Sequence, residues 1–393
     1  MKLYSSKTKK ILVFAKHLDG GTGMFVKQLI SLGQTSEKET MVVVLALEKP
    51  QFRAFMPSFA AVSYFSNNPL LPYSYILTPT AVINTFHELV WLKSNVSRYQ
   101  PDIIISVDNH CNVLACLCRL LFYRTRLILT IHNNISAVTF AKLPSFGRTL
   151  FKHVSRFLFR QADETVCVSQ GVALDAKQFF SLPTLPKVIH VGVNIQAIQR
   201  LADKKIPQQF KEICSPDKIK IITVGRFAPQ KDFKTLIEAF ALFHKSVKSS
   251  LLVIIGDGQD KKKIIKDITA HKLDKYTYLL GWKQNVYPYL RAADVFVLSS
   301  NYEGFPYVLL EAAALGKPVV ATDAPFGPRE LLGDNMCGLV VPMKNSEAMA
   351  RALQLLSHRR ARSHYQIKII RRVKMFTEAI MLQRYQSLID TTA

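Results

Sequence analysis

Acidic side chains are scarce in this chain. Its 28 Asp and Glu stand against 52 Lys and Arg, a net charge of +24 over 393 residues. Such an excess needs an acidic partner or surface, and nucleic acid, anionic lipid headgroups and phosphorylated substrates are the three candidates. No RRM, KH or zinc-finger signature is present, and no stretch argues for a helix-turn-helix, so nucleic acid is not the expected partner. Cysteine pairs are also lacking. The six cysteines, at 111, 116, 118, 167, 214 and 337, form no Cys-x-x-Cys and no zinc spacing, which predicts reduced, mostly buried thiols in a cytosolic protein and no metal or cofactor. Long apolar runs are missing too. Met41 to Leu47 is among the longest, too short to span a bilayer, and no basic-then-apolar leader opens the sequence. With 49% hydrophobic and 20% charged residues, the chain is expected to be globular rather than disordered.

What is present is a strand–loop–helix pattern that begins twice, which predicts parallel sheets. Ile11 to Ala15 leads to Gly20-Gly21-Thr22-Gly23 and an apolar helix from Met24 to Leu32. Ile219 to Val224 leads to Gly225-Arg226-Phe227 and a helix from about Phe233 to Phe243. Met41–Leu47, Ile103–Val107, Leu127–Ile131 and Glu164–Val168 read as buried strands of the first half. Leu251–Ile255 and Val295–Leu298 read as strands of the second, with a helix over Lys261–His271. The polar stretch from Gln199 to Asp217 looks like a linker, and Gln51 to Pro79 carries no assignable pattern. A helical tail runs from Arg371 to Ile389.

The most informative stretch is Leu298 to Ala321. Glu303 and Glu311 are eight positions apart, Gly304, Phe305 and Pro306 follow the first, and an apolar helix pattern opens at Tyr307. Proline suits the start of a helix, where no N–H is needed. Such a turn aims helical N–H groups outward, as an anion requires. One carboxylate before the turn and one just inside the helix can face one pocket, which suits a ligand with a phosphate and several hydroxyls. Gly225-Arg226-Phe227 ends a strand, and Lys231 follows in the next loop, so both cations can point toward the same anion. Two solvated surface cations are the bland alternative.

The Glu–x7–Glu spacing with Gly-Phe-Pro after its first Glu resembles the retaining glycosyltransferases of family 4. The likeness is densest from Val224 to Pro342 and traceable from Ile11 to Gly23 and Leu129 to Asn194. It implies an α/β GT-B fold: two facing Rossmann-like domains, with a C-terminal helix crossing back to the first. The expected bounds are 1–195 for the acceptor side, 196–375 for the nucleotide-sugar side and 376–393 for the crossover. By resemblance, Arg226 and Lys231 hold the donor diphosphate, Glu311 accepts from the ribose hydroxyls, and Glu303 stands beside the donor sugar. Gly304, Phe305 and Pro306 line the donor, Gly21 and Gly23 lie near its phosphates, and His132, at the end of a strand, contacts the transferred sugar. A structural histidine is the alternative for His132. A dehydrogenase is a rival for the first half alone, with Glu48 as its ribose acid, but Val26 stands where its fingerprint needs a third small residue. His190-Val191-Gly192-Val193-Asn194 departs from the family wording and carries no role. Gly327-Pro328-Arg329-Glu330 resembles members that build bacterial surface glycans on lipid carriers.

From Phe140 to Gln161 the chain has five cations and no acid. On a helical wheel, Leu150, Phe151, Val154, Phe157 and Leu158 cluster on one side, and Arg148, Lys152, Arg156 and Arg160 lie opposite with Phe159 among them. That pattern suits a helix lying on anionic lipid, or an ordinary amphipathic helix packed on its own domain. The sequence therefore predicts a metal-independent retaining glycosyltransferase, without cofactor, on the inner face of the cell membrane. Its expected donor is a UDP-sugar and its expected acceptor a lipid-linked glycan. A non-catalytic nucleotide-sugar or membrane-binding protein and a nucleic-acid-binding protein are the alternatives.

Overall fold

The structure is a computed structural model that describes every residue except 1–7, 36–39, 49–60, 67–78, 124, 137–144, 207–209, 211–214, 216 and 392–393. The chain divides into two compact units, one of Met1–His190 with Met381–Ala393 and one of Val191–Ile380.

The first unit is built on a seven-stranded sheet in the order β3-β2-β1-β4-β5-β6-β7. Its strands are β1 (Lys9–Ala15), β2 (Thr40–Glu48), β3 (Ala61–Ser66), β4 (Ile103–Val107), β5 (Arg126–Ile131), β6 (Glu164–Cys167) and β7 (Lys187–Val188). Every neighbouring pair is parallel. The central strands are buried along their length, as the run Ile103–Val107 illustrates. That is why they read as continuous apolar segments rather than alternating ones. The strand order reverses between β1 and β4, the point at whose carboxyl ends open α/β sheets place ligands.

The second unit repeats the scheme with six strands in the order β10-β9-β8-β11-β12-β13. These are β8 (Ile219–Val224), β9 (Ser250–Ile255), β10 (Thr277–Leu279), β11 (Val295–Leu298), β12 (Val319–Thr322) and β13 (Leu339–Val341), again all parallel. Here the order reverses between β8 and β11. Phe240, Phe243, Leu252, Ile254 and Val297 lie in its buried core. Truncating one such phenylalanine to Ala costs about 3–5 kcal/mol.

The last helix, Glu378–Asp390, returns the chain to the first unit. Arg126 reaches its end, donating from Nη2 to the Leu388 carbonyl at 2.9 Å and from Nη1 to the Thr391 carbonyl at 2.7 Å. Lys9 donates to the Ile389 carbonyl at 2.9 Å, and the Tyr385 ring meets Phe25 edge-on at 5.6 Å. Cations at the carbonyl end of a helix complement its dipole.

Several expectations are corrected. The glycine run is no loop: the helix starts at Gly20 and extends to Ile30. Gln199 to Ala202, expected in a linker, belongs to the helix Ile195–Ala202, capped by the Asn194 side chain through the Ala197 N–H at 2.9 Å. The patternless stretch from Gln51 to Pro79 contains the edge strand β3, paired parallel to β2, and its other residues from 51 to 78 lie outside the described residues. The single tail helix is two, Arg359–Val373 and Glu378–Asp390, and Phe376 between them packs on Phe305 at 5.3 Å.

The basic helix, Ser145–Phe159, also differs from its wheel. Phe159 is 2% exposed and stacks on Phe180 at 3.8 Å, so it cannot meet lipid. Arg156 Nε donates to the Phe179 carbonyl and Arg160 Nη2 to that of Ser181, at 3.2 and 2.8 Å. These arginines are drawn inward by carbonyls at the end of the helix Gln170–Phe180, a common partner for basic side chains. Val154 and Phe157, placed by the wheel on the packed side, are instead exposed. Lys152 is half-buried, and Arg148 lies in the first half of the helix.

Candidate functional site

In the second unit, the loops after β8 and β11 flank the point where strand order reverses. They carry Arg226 and Lys231 on one side and Glu303 on the other. Lys231 closes the short 3-10 turn Pro229–Lys231. Its stem lies against Gly225, where a Cβ would stand 3.4 Å from it, in ordinary van der Waals contact. Lys231 Nζ donates to Glu303 Oε1 at 2.6 Å, and the Ser300 hydroxyl donates to the same oxygen at 2.6 Å. The two side chains are 17% and 8% exposed, so the ion pair is largely withdrawn from water and weakly screened.

The two loops are laced together. Ser299 Oγ donates to the Lys231 carbonyl at 2.6 Å, Gln230 Nε2 to that of Tyr302 at 2.8 Å, and the Asn301 N–H to that of Gln230 at 2.8 Å. Thr322 Oγ1, at the end of β12, donates to the Ser300 carbonyl at 2.6 Å. A third loop supports Glu303 from behind, since the Glu303 N–H donates to the Pro325 carbonyl and the Phe326 N–H to that of Glu303, at 2.7 and 3.2 Å. Gly327 completes this contact with φ +89°. A Cβ there would fall 2.8 Å from the Gly304 carbonyl oxygen, so both its conformation and its close approach need glycine.

Pro306 caps the helix Tyr307–Ala314 in an extended conformation, with no side-chain cap. Glu311 lies within that helix, half-buried. Its Oε1 accepts from the Tyr287 hydroxyl at 3.0 Å. Burial pushes the carboxyl up to about 6, while the Tyr287 hydrogen bond pulls the other way. Burial, with the Glu311 charge beside it, raises the Tyr287 hydroxyl far above its ordinary range, so it stays a donor. Arg226 is exposed.

The first unit holds the remaining expected residues. Gly23 has a packing reason to be glycine, for a Cβ would lie 1.9 Å from the Leu18 carbonyl oxygen, and its N–H donates to Asp19 O at 3.1 Å. Gly21 is exposed in the first turn of that helix. His132 follows β5. Thr130 Oγ1 gives its proton to the Ser106 carbonyl at 2.9 Å and stands 3.0 Å from His132 Nε2. Since the hydroxyl's hydrogen is already committed, Nε2 carries the proton and donates, leaving Nδ1 an acceptor. The ring meets Phe25 edge-on at 4.4 Å, and burial lowers its pKa to about 4, so it is neutral near pH 7. Glu48 pairs with Lys16 at 3.7 Å.

Sequence reasoning missed Ser300 and Tyr287, each of which holds one oxygen of a predicted carboxylate. Ser300 sits three residues before Glu303, a spacing that could have revealed it. Tyr287 is 24 residues from Glu311, with β11 between them, and left no such sign.

Two successive parallel-sheet units of this kind, the second with the Lys231–Glu303 pair at its switch point, are the architecture of GT-B glycosyltransferases. The chain belongs to the glycosyl transferases group 1 family, whose model matches residues 176–373, and a glycosyltransferase family 4 model matches 20–197. An uncharacterized glycosyltransferase of Methanocaldococcus jannaschii is 27% identical over 68% of this chain and 64% of its own length. The N-acetylgalactosamine-N,N'-diacetylbacillosaminyl-diphospho-undecaprenol 4-alpha-N-acetylgalactosaminyltransferase of Campylobacter jejuni is 31% identical over 68% of this chain and 70% of its own length. The solved Anabaena Alr3699/HepE, in complex with UDP and glucose, shares the fold with a TM-score of 0.78 at 18% identity, covering 98% of this chain and all of that one.

Proposed function

We propose that this glycosyltransferase moves a sugar, with retention of anomeric configuration, from a UDP-sugar to a hydroxyl of a lipid-linked glycan. The reaction belongs to surface polysaccharide synthesis at the inner face of the membrane. The observation that carries the reading is the buried Lys231–Glu303 pair at the switch point of the second unit, with Glu311 eight residues beyond it.

Each residue has a task that its surroundings suit. The leaving nucleoside diphosphate gains negative charge as the glycosidic bond breaks, and fixed cations stabilise that charge most where water is sparse. Lys231 and Arg226 supply it, doing the work a divalent ion does in other transferases. Glu311 in its ionised form accepts from the two ribose hydroxyls, with Tyr287 fixing the carboxylate's orientation. Glu303 stabilises the positive charge that develops at the anomeric carbon. Gly304, Phe305 and Pro306 shape the donor pocket. Retention places the leaving phosphate and the incoming hydroxyl on one face of the sugar, and the phosphate takes the acceptor's proton.

The C. jejuni relative's diphospho-undecaprenol substrate supports the lipid-linked acceptor, and the UDP complex of the Anabaena protein supports the nucleotide. The test is a hydrolysis screen over UDP-, GDP- and ADP-sugars, followed by NMR of the released sugar before it mutarotates. Faster turnover of UDP-sugars and release of the donor's own anomer support the proposal. Turnover of none, or release of the opposite anomer, refutes it.

A further inference from the structure

Four helices of the first unit, Pro79–Tyr99, Asn109–Phe122, Ser145–Phe159 and Gln170–Phe180, connect β3 to β4, β4 to β5, β5 to β6 and β6 to β7. All four crossovers move in one direction across the sheet. Right-handed connections therefore put them on one face, and successive helices touch.

That face has two unusual properties. The first is exposed apolar bulk. On the Pro79–Tyr99 helix Ile83, Phe86 and Val90 recur at spacings of three and four and are all exposed, Phe86 to 62%, so they form one stripe. Leu121 and Phe157, on the next two helices, are 57% and 55% exposed. The second is charge of one sign. The four helices carry seven Lys and Arg, at 93, 98, 119, 148, 152, 156 and 177, and two carboxylates. Both carboxylates are engaged within the unit. Glu88 is fully buried with its Oε2 2.8 Å from His110 Nε2, and Asp175 accepts the Ile135 N–H at 2.8 Å. Lys93 Nζ stands 4.3 Å above the Phe122 ring, so cation and aromatic share the same patch.

We propose that this four-helix face docks on an anionic bilayer, with Phe86, Phe157 and Leu121 entering the headgroup–acyl boundary and the exposed Lys93, Arg98 and Lys177 meeting lipid phosphates. Both components are what an interfacial surface uses. A second copy of the chain would bring the exposed Lys93, Arg98 and Lys177 against their own kind, and a nucleic acid, which could stack on the aromatics, would have no use for the exposed Ile83, Val90 and Leu121. The proposal gives the membrane-side location of the proposed function a named surface, different from the arginine-and-Phe159 set read from the sequence, yet it stands on the first unit alone.

The test is flotation of the full chain with vesicles of equal parts phosphatidylglycerol and phosphatidylcholine, and with phosphatidylcholine alone. The variants are Phe86→Ser with Phe157→Ser, and Lys93→Glu with Lys177→Glu. All four side chains are exposed, so the thermal midpoint should hold. The proposal expects binding to the anionic vesicles only, a loss of about tenfold in the aromatic pair, a comparable loss in the charge pair, and weakening by high salt. No binding, equal binding to neutral vesicles, or an unchanged aromatic pair overturns it. So does a wild-type dimer that the aromatic pair dissolves in light scattering. UDP-sugar hydrolysis in solution, read on the same samples, should not change. If wild-type hydrolysis is absent while anionic vesicles still bind, the docking stands and the proposed reaction falls.

Discussion

Replacing Lys231 by Met separates what the lysine does for the fold from what it does for the reaction. The ammonium sits 2.6 Å from Glu303 Oε1 in a site where both side chains are mostly buried. Its removal leaves the carboxylate with one side-chain donor, Ser300. An under-partnered buried group of this kind costs about 1–3 kcal/mol. The upper range for a broken buried pair is not reached, because Ser300 still binds the carboxylate and the lysine was partly solvated. Catalysis should suffer more. Losing a fixed charge aimed at a leaving group costs about 100- to 1000-fold in kcat, as for an oxyanion donor, or roughly 3–4 kcal/mol of barrier. The decisive sample is the double variant Lys231→Met, Glu303→Gln. Deleting both charges removes the orphan, so most of the lost stability should return in urea denaturation. Activity in the UDP-sugar assay should stay at or below that of the single variant. Activity returning along with stability would show that the lysine only neutralises Glu303, and the leaving-group role would be abandoned.

The remaining expectations are narrower. Glu311, raised to about 6 from its ordinary 4.5, must be ionised to accept from a diol, so donor KM should rise as pH drops through about 6. Tyr287→Phe, which removes the hydrogen bond that lowers this pKa, should move the midpoint upward with kcat changed less than KM. The same raised carboxyl binds more protons folded than unfolded, so its contribution to stability is present at low pH and is lost as pH rises from about 4.5 to 6. His132 shifts the opposite balance. Buried neutral with a pKa of about 4 against an ordinary 6.5, it takes up protons on unfolding. Its share of stability should therefore be lost as pH falls from about 6.5 to 4, and His132→Gln should flatten that part of the melting-temperature profile. Gly23→Ala would press a methyl into the Leu18 carbonyl and should destabilise by roughly 1–3 kcal/mol, measurable by urea denaturation.

The sequence made the strands legible wherever they are central. Ile103–Val107 and Leu251–Ile255 are apolar throughout because parallel strands are covered on both faces. It hid the short edge elements. β3 and β7 have a neighbour on one side only and lack such a run, so no period marks them. In the site, Glu303, Lys231 and the Gly225 turn were readable because glycine, proline and charge punctuate strand ends. Tyr287 was not, since its partner lies 24 residues away in sequence and contact at that range depends on tertiary packing. The basic helix misled for a physical reason. A wheel sorts side chains by character, but Arg156 and Arg160 turn back to carbonyl oxygens, and Phe159 takes the buried side.

The most direct measurement is calorimetric titration of UDP into the wild-type chain and into Glu311→Ala, with folding of the variant checked by its melting transition. Saturable UDP binding, weakened at least about tenfold in Glu311→Ala, is the predicted result. No UDP binding by the wild type, or equal affinity in a folded variant, would contradict the placement of a sugar nucleotide at the switch point of the second unit.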